Sequence, residues 1–362
     1  MEVKKGYKQT ELGLIPEDWD LKTLDKISTS VSSGKSKTTS EDGATYPIMG
    51  STGIIGYSTH FDYSGEKILV ARVGANAGTV NFIEGNYCVS DNTIMVSFKS
   101  DLYYLYYLHF LKYSNLNKIV FGSGQPLITG SQLKKILIPL PPLPEQTAIA
   151  TALSDMDALI AQTEKLIEKK KAMKQGMMQE LLKPKKGWVT KKLGEIFEYE
   201  QPSKYIVTET TYNPFNEIPV LTAGKSFLLG YTSETFGVFQ QIPVIIFDDF
   251  TTSCQYVDFK FKVKSSAIKI LKPASVGINL PLAYELLKNI DYQVGDHKRH
   301  WIGEFINFEI LIPSSPEEQN RIGRIIEDLL NEIAFYQSKL QKLKLQKQGM
   351  MQELLTGRIR LL

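Results

Sequence analysis

Glycine-rich, acidic and histidine-rich stretches are where chemistry would show first in this 362-residue chain. Phe121-Gly122-Ser123-Gly124 has the look of a loop that cradles S-adenosylmethionine, and Tyr212-Asn213-Pro214-Phe215 is close to a tetrapeptide that holds adenine for methylation. The loop does not open a helix whose amides would face a cofactor, and the tetrapeptide lacks its second proline. Gly34-Lys35-Ser36 and Gly224-Lys225-Ser226 end like phosphate-binding loops, but Thr29 and Pro219 stand where that motif needs an earlier glycine. Both read as turns that expose a lysine. His297-Lys298-Arg299-His300 has no cysteine or acidic partner at zinc-ligand spacing. Asp248-Asp249 closes an apolar strand, and a nuclease centre there would need a second acidic cluster that the sequence does not offer. No catalytic, cofactor-binding or metal-ligating residue is therefore assigned.

The elements that must position any site are organised by a repeat. Gln175-Gly176-Met177-Met178-Gln179-Glu180-Leu181-Leu182 returns letter for letter as Gln348-Gly349-Met350-Met351-Gln352-Glu353-Leu354-Leu355, 173 positions later. Without a gap, Glu145-Gln146 aligns with Glu318-Gln319, Ile149 with Ile322, Asp155 with Asp328 and Ile160 with Ile333. Each copy carries a heptad seam over about four and a half repeats. In the first it runs Ile149, Leu153, Met156, Ile160, Thr163, Ile167, Lys170, Lys174, Met177, Leu181. In the second it runs Ile322, Ile326, Leu329, Ile333, Tyr336, Leu340, Leu343, Lys347, Met350, Leu354. Pro144 and Pro316 suit the helix starts, and Glu145, Glu317 and Glu318 complement the dipole there. The lysines on the seam predict that it loosens toward the C-terminal ends. Each helix would span roughly 55 Å. The compact segment between them favours an antiparallel pair, because its ends need not lie far apart.

The remaining segments read as two divergent domains with one architecture. Strands are predicted at 46–49, 67–73, 79–83 and 93–98, then a tyrosine-rich helix at 101–113, then Ile136-Leu137-Ile138-Pro139. The second half repeats that order with strands at 219–221, 244–247, 259–263 and 267–271, a helix at 282–288 and Ile310-Leu311-Ile312-Pro313. Packing beside a sheet is the expected role of the tyrosine-rich helix, and Trp19 and Trp188 are expected to fix the start of each domain. The boundaries expected are 1–142, 143–183, 184–315 and 316–362. The fold class is mixed α/β, with a pseudo-two-fold internal repeat and two long antiparallel coiled-coil helices.

Composition narrows the class. Hydrophobic and charged fractions of 43% and 22% are those of a globular soluble chain. There is no transmembrane run and no signal-peptide core, and Cys88 and Cys254 lie far apart, so a cytoplasmic protein with free thiols is expected. The net charge of +3 is spread so evenly that charge alone would not suggest nucleic acid. Two non-identical heads on a near-invariant rod do suit a DNA duplex, whose half-sites face a dimer-like protein in inverted orientation. The rival class is an enzyme with its own methyltransferase or nuclease site. A third is a coiled-coil adaptor with no DNA role.

Four features resemble the specificity subunit of type I restriction–modification systems. They are Tyr7-Lys8-Gln9-Thr10-Glu11-Leu12-Gly13 with Ile15-Pro16-Glu17-Asp18-Trp19, and Ile138-Pro139-Leu140-Pro141-Pro142-Leu143-Pro144-Glu145-Gln146 with its looser echo Ile312-Pro313-Ser314-Ser315-Pro316-Glu317-Glu318-Gln319. The others are the repeated octapeptide with the ending Thr356-Gly357-Arg358-Ile359-Arg360-Leu361, and Gly122-Ser123-Gly124-Gln125-Pro126 with Ile128. The resemblance covers the whole chain in family order. In the second domain the glycine–glutamine segment is replaced by Asp296-His297-Lys298-Arg299-His300-Trp301.

The resemblance implies two target recognition domains, each reading half of a bipartite sequence in double-stranded DNA. It implies helices that set the spacer and dock two methylation subunits, with two restriction subunits joining them. S-adenosylmethionine, ATP and magnesium would act on those partners, with no cofactor on this chain and no membrane. Register needs phosphate contacts and sequence needs base-edge contacts. The DNA-binding candidates are Lys35, Lys37, Arg72, Asn76 and Gln125 in the first domain, and Lys204, Lys225, Lys298, Arg299 and His300 in the second. Arg72, Asn76 and Arg299 lead. Met177, Met178, Met350 and Met351 are the candidate docking residues for the methylation subunits.

Overall fold

A computed structural model of the chain describes residues 5–37, 42–99, 103–122, 126–222, 226–292 and 299–361. The two seams become helices of 39 residues each, Leu143–Leu181 and Pro316–Leu354. The chain divides into two compact units: residues 1–165 with 338–362, and residues 166–337. Each unit holds one domain, half of one long helix and the opposite half of the other.

In the first unit, a four-stranded antiparallel sheet runs in the order Ser28–Ser33, Thr93–Phe98, Lys67–Ala71, Val80–Ile83. A second sheet orders Gly53–Ser58, Tyr46–Gly50, Asn86–Val89, Tyr63–Ser64, with Asn86–Val89 parallel to Tyr46–Gly50. In the second unit the corresponding sheets are Phe197–Glu200, Ile268–Pro273, Val244–Asp248, Cys254–Val257, and Leu228–Thr232, Ile218–Leu221, Lys262–Val263. The latter again contains one parallel pair. The strand before each long helix returns to the strand that opens its domain, Leu137–Leu140 on Asp20–Thr23 and Glu309–Pro313 on Trp188–Lys192. The shared topology therefore survives the divergence of the letters. Several expected elements shift. The strand at 259–263 shrinks to Lys262–Val263, and the helix at 101–113 begins at Tyr104, with 101–102 outside the described residues. Short strands such as Asn86–Val89 and Cys254–Val257 were not read, because two to four alternating residues give too little period to see.

The seams pack as the heptads require, and they run antiparallel. In the first unit Lys347 pairs with Asp157 and Lys344 with Glu164; in the second Lys170 pairs with Glu332. The seam lysines therefore do not loosen the pair as expected. Lys170 and Lys347 meet carboxylates across it, and Lys174 meets Glu285 of the second domain. Ile149, Leu153, Ile322 and Ile326 are fully buried at the helix starts, against the domain each helix follows.

The octapeptides do something else. Leu354 and Leu355 belong to the core of the first domain, with Met350 and Met351 packed against it. Met178 and Leu182 belong to the core of the second. The end of each helix thus closes the domain that the other helix follows. Truncating a buried leucine in such a core costs about 2–5 kcal/mol.

The family-like signatures meet in the first unit. The Trp19 indole, wholly buried, donates to Glu145 Oε2 at 2.9 Å, and Arg360 donates to both Glu145 oxygens at 2.7 and 2.8 Å. The same guanidinium grips Asp18 with two bonds of 3.0 and 2.7 Å. Gly357 sits at φ +70° with a would-be Cβ 2.4 Å from Pro16 Cδ, so no other residue fits that turn. The tyrosine-rich helix is core, as expected: Tyr106 and Tyr107 are fully buried. No helix among the described residues is long and apolar enough to cross a membrane.

Candidate nucleic-acid interface

In the first domain three strands finish level with one another. Ser33 faces Ile94 and Ala71 faces Thr93, so the residues after Ser33 and after Ala71 leave the sheet at one end. Gly34 makes that exit possible. A Cβ there would lie 2.2 Å from the Val89 carbonyl oxygen. The chain runs along 89–90, with Ser36 N donating to the Val89 carbonyl and Val89 N to Ser36 Oγ, both at 2.9 Å. Lys35 and Lys37 are left exposed on either side of the buried Ser36. Arg72 follows the neighbouring strand. Its amide donates to the Asn92 carbonyl and its carbonyl accepts from Ile128 N, each at 2.9 Å. Among the described residues its guanidinium hydrogen-bonds Ser33 Oγ and the Asp91 carbonyl, at the outer limit of 3.5 Å. Asn76 is exposed in the turn that follows, bounded by Gly74 and Gly78 at φ +78° and +88°.

Phe121, Pro126 and Leu127 come to the same place. Gly74 N donates to the Pro126 carbonyl, and Leu127 bridges both Val73 and Phe121. Gln125 itself lies outside the described residues. Lys35, Lys37, Arg72 and Asn76 are thus gathered at one end of the domain, and among the described residues no carboxylate pairs with the three cations. Ser51, whose Oγ donates to the Asn92 carbonyl at 2.9 Å, joins the rim and was not singled out in the sequence.

The second domain reuses the frame with other chemistry. Asp249 stands where Arg72 stands: its amide donates to the Ala267 carbonyl and its carbonyl accepts from His300 N, each at 2.9 Å. It is fully buried, beside the equally buried Lys269 Nζ at 3.3 Å, and its Oδ1 accepts from Trp301 N at 2.8 Å. Asp248 caps the turn 250–253, accepting from the amides of Phe250 and Thr251 and from the Thr251 hydroxyl. The carboxylate pair is therefore a strut and a cap. Among the described residues no group of three His, Cys, Asp or Glu side chains could hold a metal.

His300 is a correction. It is fully buried with Nδ1 3.0 Å from the Tyr292 hydroxyl, so it holds the core and cannot meet a duplex. Tandem charges 297–300 read as one exposed patch in sequence, whereas the chain turns inward at His300 to occupy the place of Ile128. Arg299 beside it stays exposed, as does Lys204. Lys225 and Lys298 lie outside the described residues. The turn 250–253, with Phe250 exposed, went unread as a candidate; its signal was the acidic and hydroxyl run after an apolar strand.

A second buried pair supports the same domain. Lys262, fully buried, meets Glu234 Oε2 at 2.6 Å and donates to the Phe236 carbonyl at 2.8 Å. Burial pushes the Glu234 carboxyl up, but Lys262, Thr208 and the amides of Glu209 and Thr208 outweigh it and hold it down at about 2.

The docking candidates also need correcting. Met178 is buried in the second domain's core, and Met350 and Met351 pack on the first. Only Met177 stands out, 39% exposed. Within the octapeptides, Met178 and Met351, Leu181 and Leu354, and Leu182 and Leu355 share the task of closing a domain.

Residues 16–171 and 185–345 match the model of the type I restriction modification DNA specificity domain. Over 146 residues the chain is 47% identical to the EcoR124I/EcoR124II specificity subunit of Escherichia coli, covering 37% of this chain and 36% of that one. That match spans about a third of the relative. A longer one, 26% identical over 414 positions, joins 99% of this chain to 97% of the putative MjaX specificity subunit of Methanocaldococcus jannaschii. The fold is that of the S subunit from M. genitalium, with a TM-score of 0.73 at 18% identity and 98% of both chains covered. A chain solved in work on complex assembly and conformational transition of the type I R-M system gives 0.53 at 15% identity, covering 95% of this chain and 99% of that one. With two copies of the specificity domain and this fold, the chain belongs to the type I restriction–modification specificity family, as a DNA-recognition subunit that is not itself the catalyst.

Proposed function

We propose that the two domains read the two halves of one bipartite duplex target, by different side chains. The observation that carries this is the gathering of Lys35, Lys37, Arg72 and Asn76 at one end of the first domain, with no carboxylate among the described residues to occupy the cations. Arg72 has the geometry of a base reader, a guanidinium at a strand end that is held only loosely by its neighbours. The lysines suit phosphates. In the second domain Arg299 and Lys204 take these parts; Gln125, Lys225 and Lys298 lie outside the described residues. The long helices set the spacer. Their outward faces, Met177 among them, dock two methylation subunits that supply S-adenosylmethionine chemistry on adenine N6. Two restriction subunits bring ATP and magnesium, and the assembly works in the cytoplasm.

The test is to express the chain with its methylation subunit in a methylation-negative host and map N6-methyladenine across the genome. One bipartite motif is expected. A folded complex that leaves no methylation overturns the reading, and methylation by the purified chain alone would favour an enzyme instead.

A further inference from the structure

The internal repeat allows the charges of the two units to be compared position by position. Lys171, Lys174 and Asp157 of the first helix correspond to Lys344, Lys347 and Leu330 of the second, and Glu164 to Gln337. In the first unit the cations are neutralised across the seam, Lys344 by Glu164 at 2.7 Å and Lys347 by Asp157. In the second unit both partners are gone, because Gln337 and Leu330 stand in their places. Lys171 turns to Glu168 on its own helix, and Lys174 to the buried Glu285. Around them opens a cavity of about 510 Å³, lined by Lys171, Lys174, Lys183 and Lys288 against the single carboxylate of Glu285, over Met178 and Leu182. Among the described residues neither Lys183 nor Lys288 has a carboxylate partner.

We infer that this cavity is a phosphate site for the duplex backbone beside the half-target read by the second domain. The inference rests on the DNA-recognition reading and adds to it a contact that carries no sequence information. The direction of the helix Leu280–Lys288 selects DNA over an acidic protein surface. Pro281, near its start, shares a cavity with Gln255, Tyr256 and Asp258. Tyr284 lines the same cavity but reaches further along the strand, its hydroxyl 3.5 Å from the Cys254 carbonyl. Lys288 lies one helical turn further on, so it continues from the turn 250–253 on the side where that domain offers its loops. A backbone passing the turn meets the lysines next. Lysine suits this role as a flexible point charge on an oxyanion.

The experiment measures binding of the complete chain, in complex with its methylation subunit, to target and unrelated duplexes over a series of salt concentrations. In K171Q/K183Q/K288Q the slope of log affinity against log salt should flatten by about 0.9 for each lysine that meets a phosphate, equally on both duplexes. Gln337→Glu, which restores the carboxylate that the first unit has at this position, should flatten it more weakly. Lys344→Gln in the first unit should leave it unchanged. An unaltered slope in the triple variant overturns the inference. So does failure of the folded triple variant to bind the methylation subunit, which would assign the cavity to an acidic protein surface. If wild type binds both duplexes alike, the sequence-reading role fails while the phosphate site can still be scored from the slope.

Discussion

Arg72 and Asp249 occupy one place in two copies of a fold, and they do opposite things there. Both donate their amide to the strand beside them and accept from the returning segment, at Ile128 in one domain and His300 in the other. Arg72, half-buried, makes two contacts at the edge of hydrogen-bonding distance. Asp249 turns inward to Lys269, which stands where the first domain has Ile94. The second domain uses for a buried strut the place where the first carries Arg72. A scaffold of backbone hydrogen bonds can therefore be kept while the side chains it carries are reassigned.

The largest effect should come from breaking the strut. Lys269→Met leaves Asp249 buried without its counter-charge, which costs about 3–5 kcal/mol. Denaturant unfolding should show the second unit giving way first, with early exchange of amides in Ile268–Pro273. An unchanged midpoint would mean that the pair is dispensable. Next comes the exchange of helix ends. Leu355→Ala should cost about 2–5 kcal/mol and loosen the first domain, although the residue lies at the end of the second long helix. Leu182→Ala should instead loosen the second. Hydrogen exchange resolved by segment would decide it, and the reverse assignment would refute the pairing described above.

The comparison itself is tested at the paired position. Arg72→Ala should weaken target binding by about 1–3 kcal/mol and relax preference at one half-site, with no loss of thermal stability. Asp249→Ala should lower stability and leave base preference alone. Equal effects of both variants on base preference would erase the distinction.

The smallest effect is in acid, and it differs between units. Burial, against the pull of Asp157, lowers His109 in the first unit to about 4. As pH falls from about 6.5 toward 4, only the unfolded chain takes up that proton, so the first unit weakens there. Glu234 in the second unit sits at about 2, below its ordinary 4.5. Its contribution is whole above 4.5 and fades as pH falls toward 2, again because the unfolded chain is protonated first. His109→Gln and Glu234→Gln should flatten these two limbs separately in pH-dependent unfolding curves.

Much of the architecture was legible beforehand, for a physical reason. A heptad seam and an exact octapeptide are long-range regularities, so Ile149, Leu153, Ile322 and Ile326 could be placed before any coordinates. The long helices, the repeat and the antiparallel pairing followed from them. Strands of two to four residues carry no such period, and strands such as Cys254–Val257 went unread. For the interface, residue type picked out Arg72 and Asn76 but could not separate Arg299, exposed, from His300, buried one position later. Burial depends on what the rest of the chain brings to each side.

The sequence by itself determined a duplicated pair of domains and two long helices, because periodicity and repetition are properties of the string, and its resemblance to the specificity subunits supplied the recognition role. Only the tertiary structure decided which end of which helix closes which domain. It also decided that Met178 and His300 face inward, that Asp248 and Asp249 serve as cap and strut, and that the lysines of the second unit stand without the carboxylates of the first. Those outcomes depend on which segments the fold brings together, from Lys174 and Glu285, 111 positions apart, to Asp249 and Trp301, 52 apart, and the periodicity of the string carries no record of them.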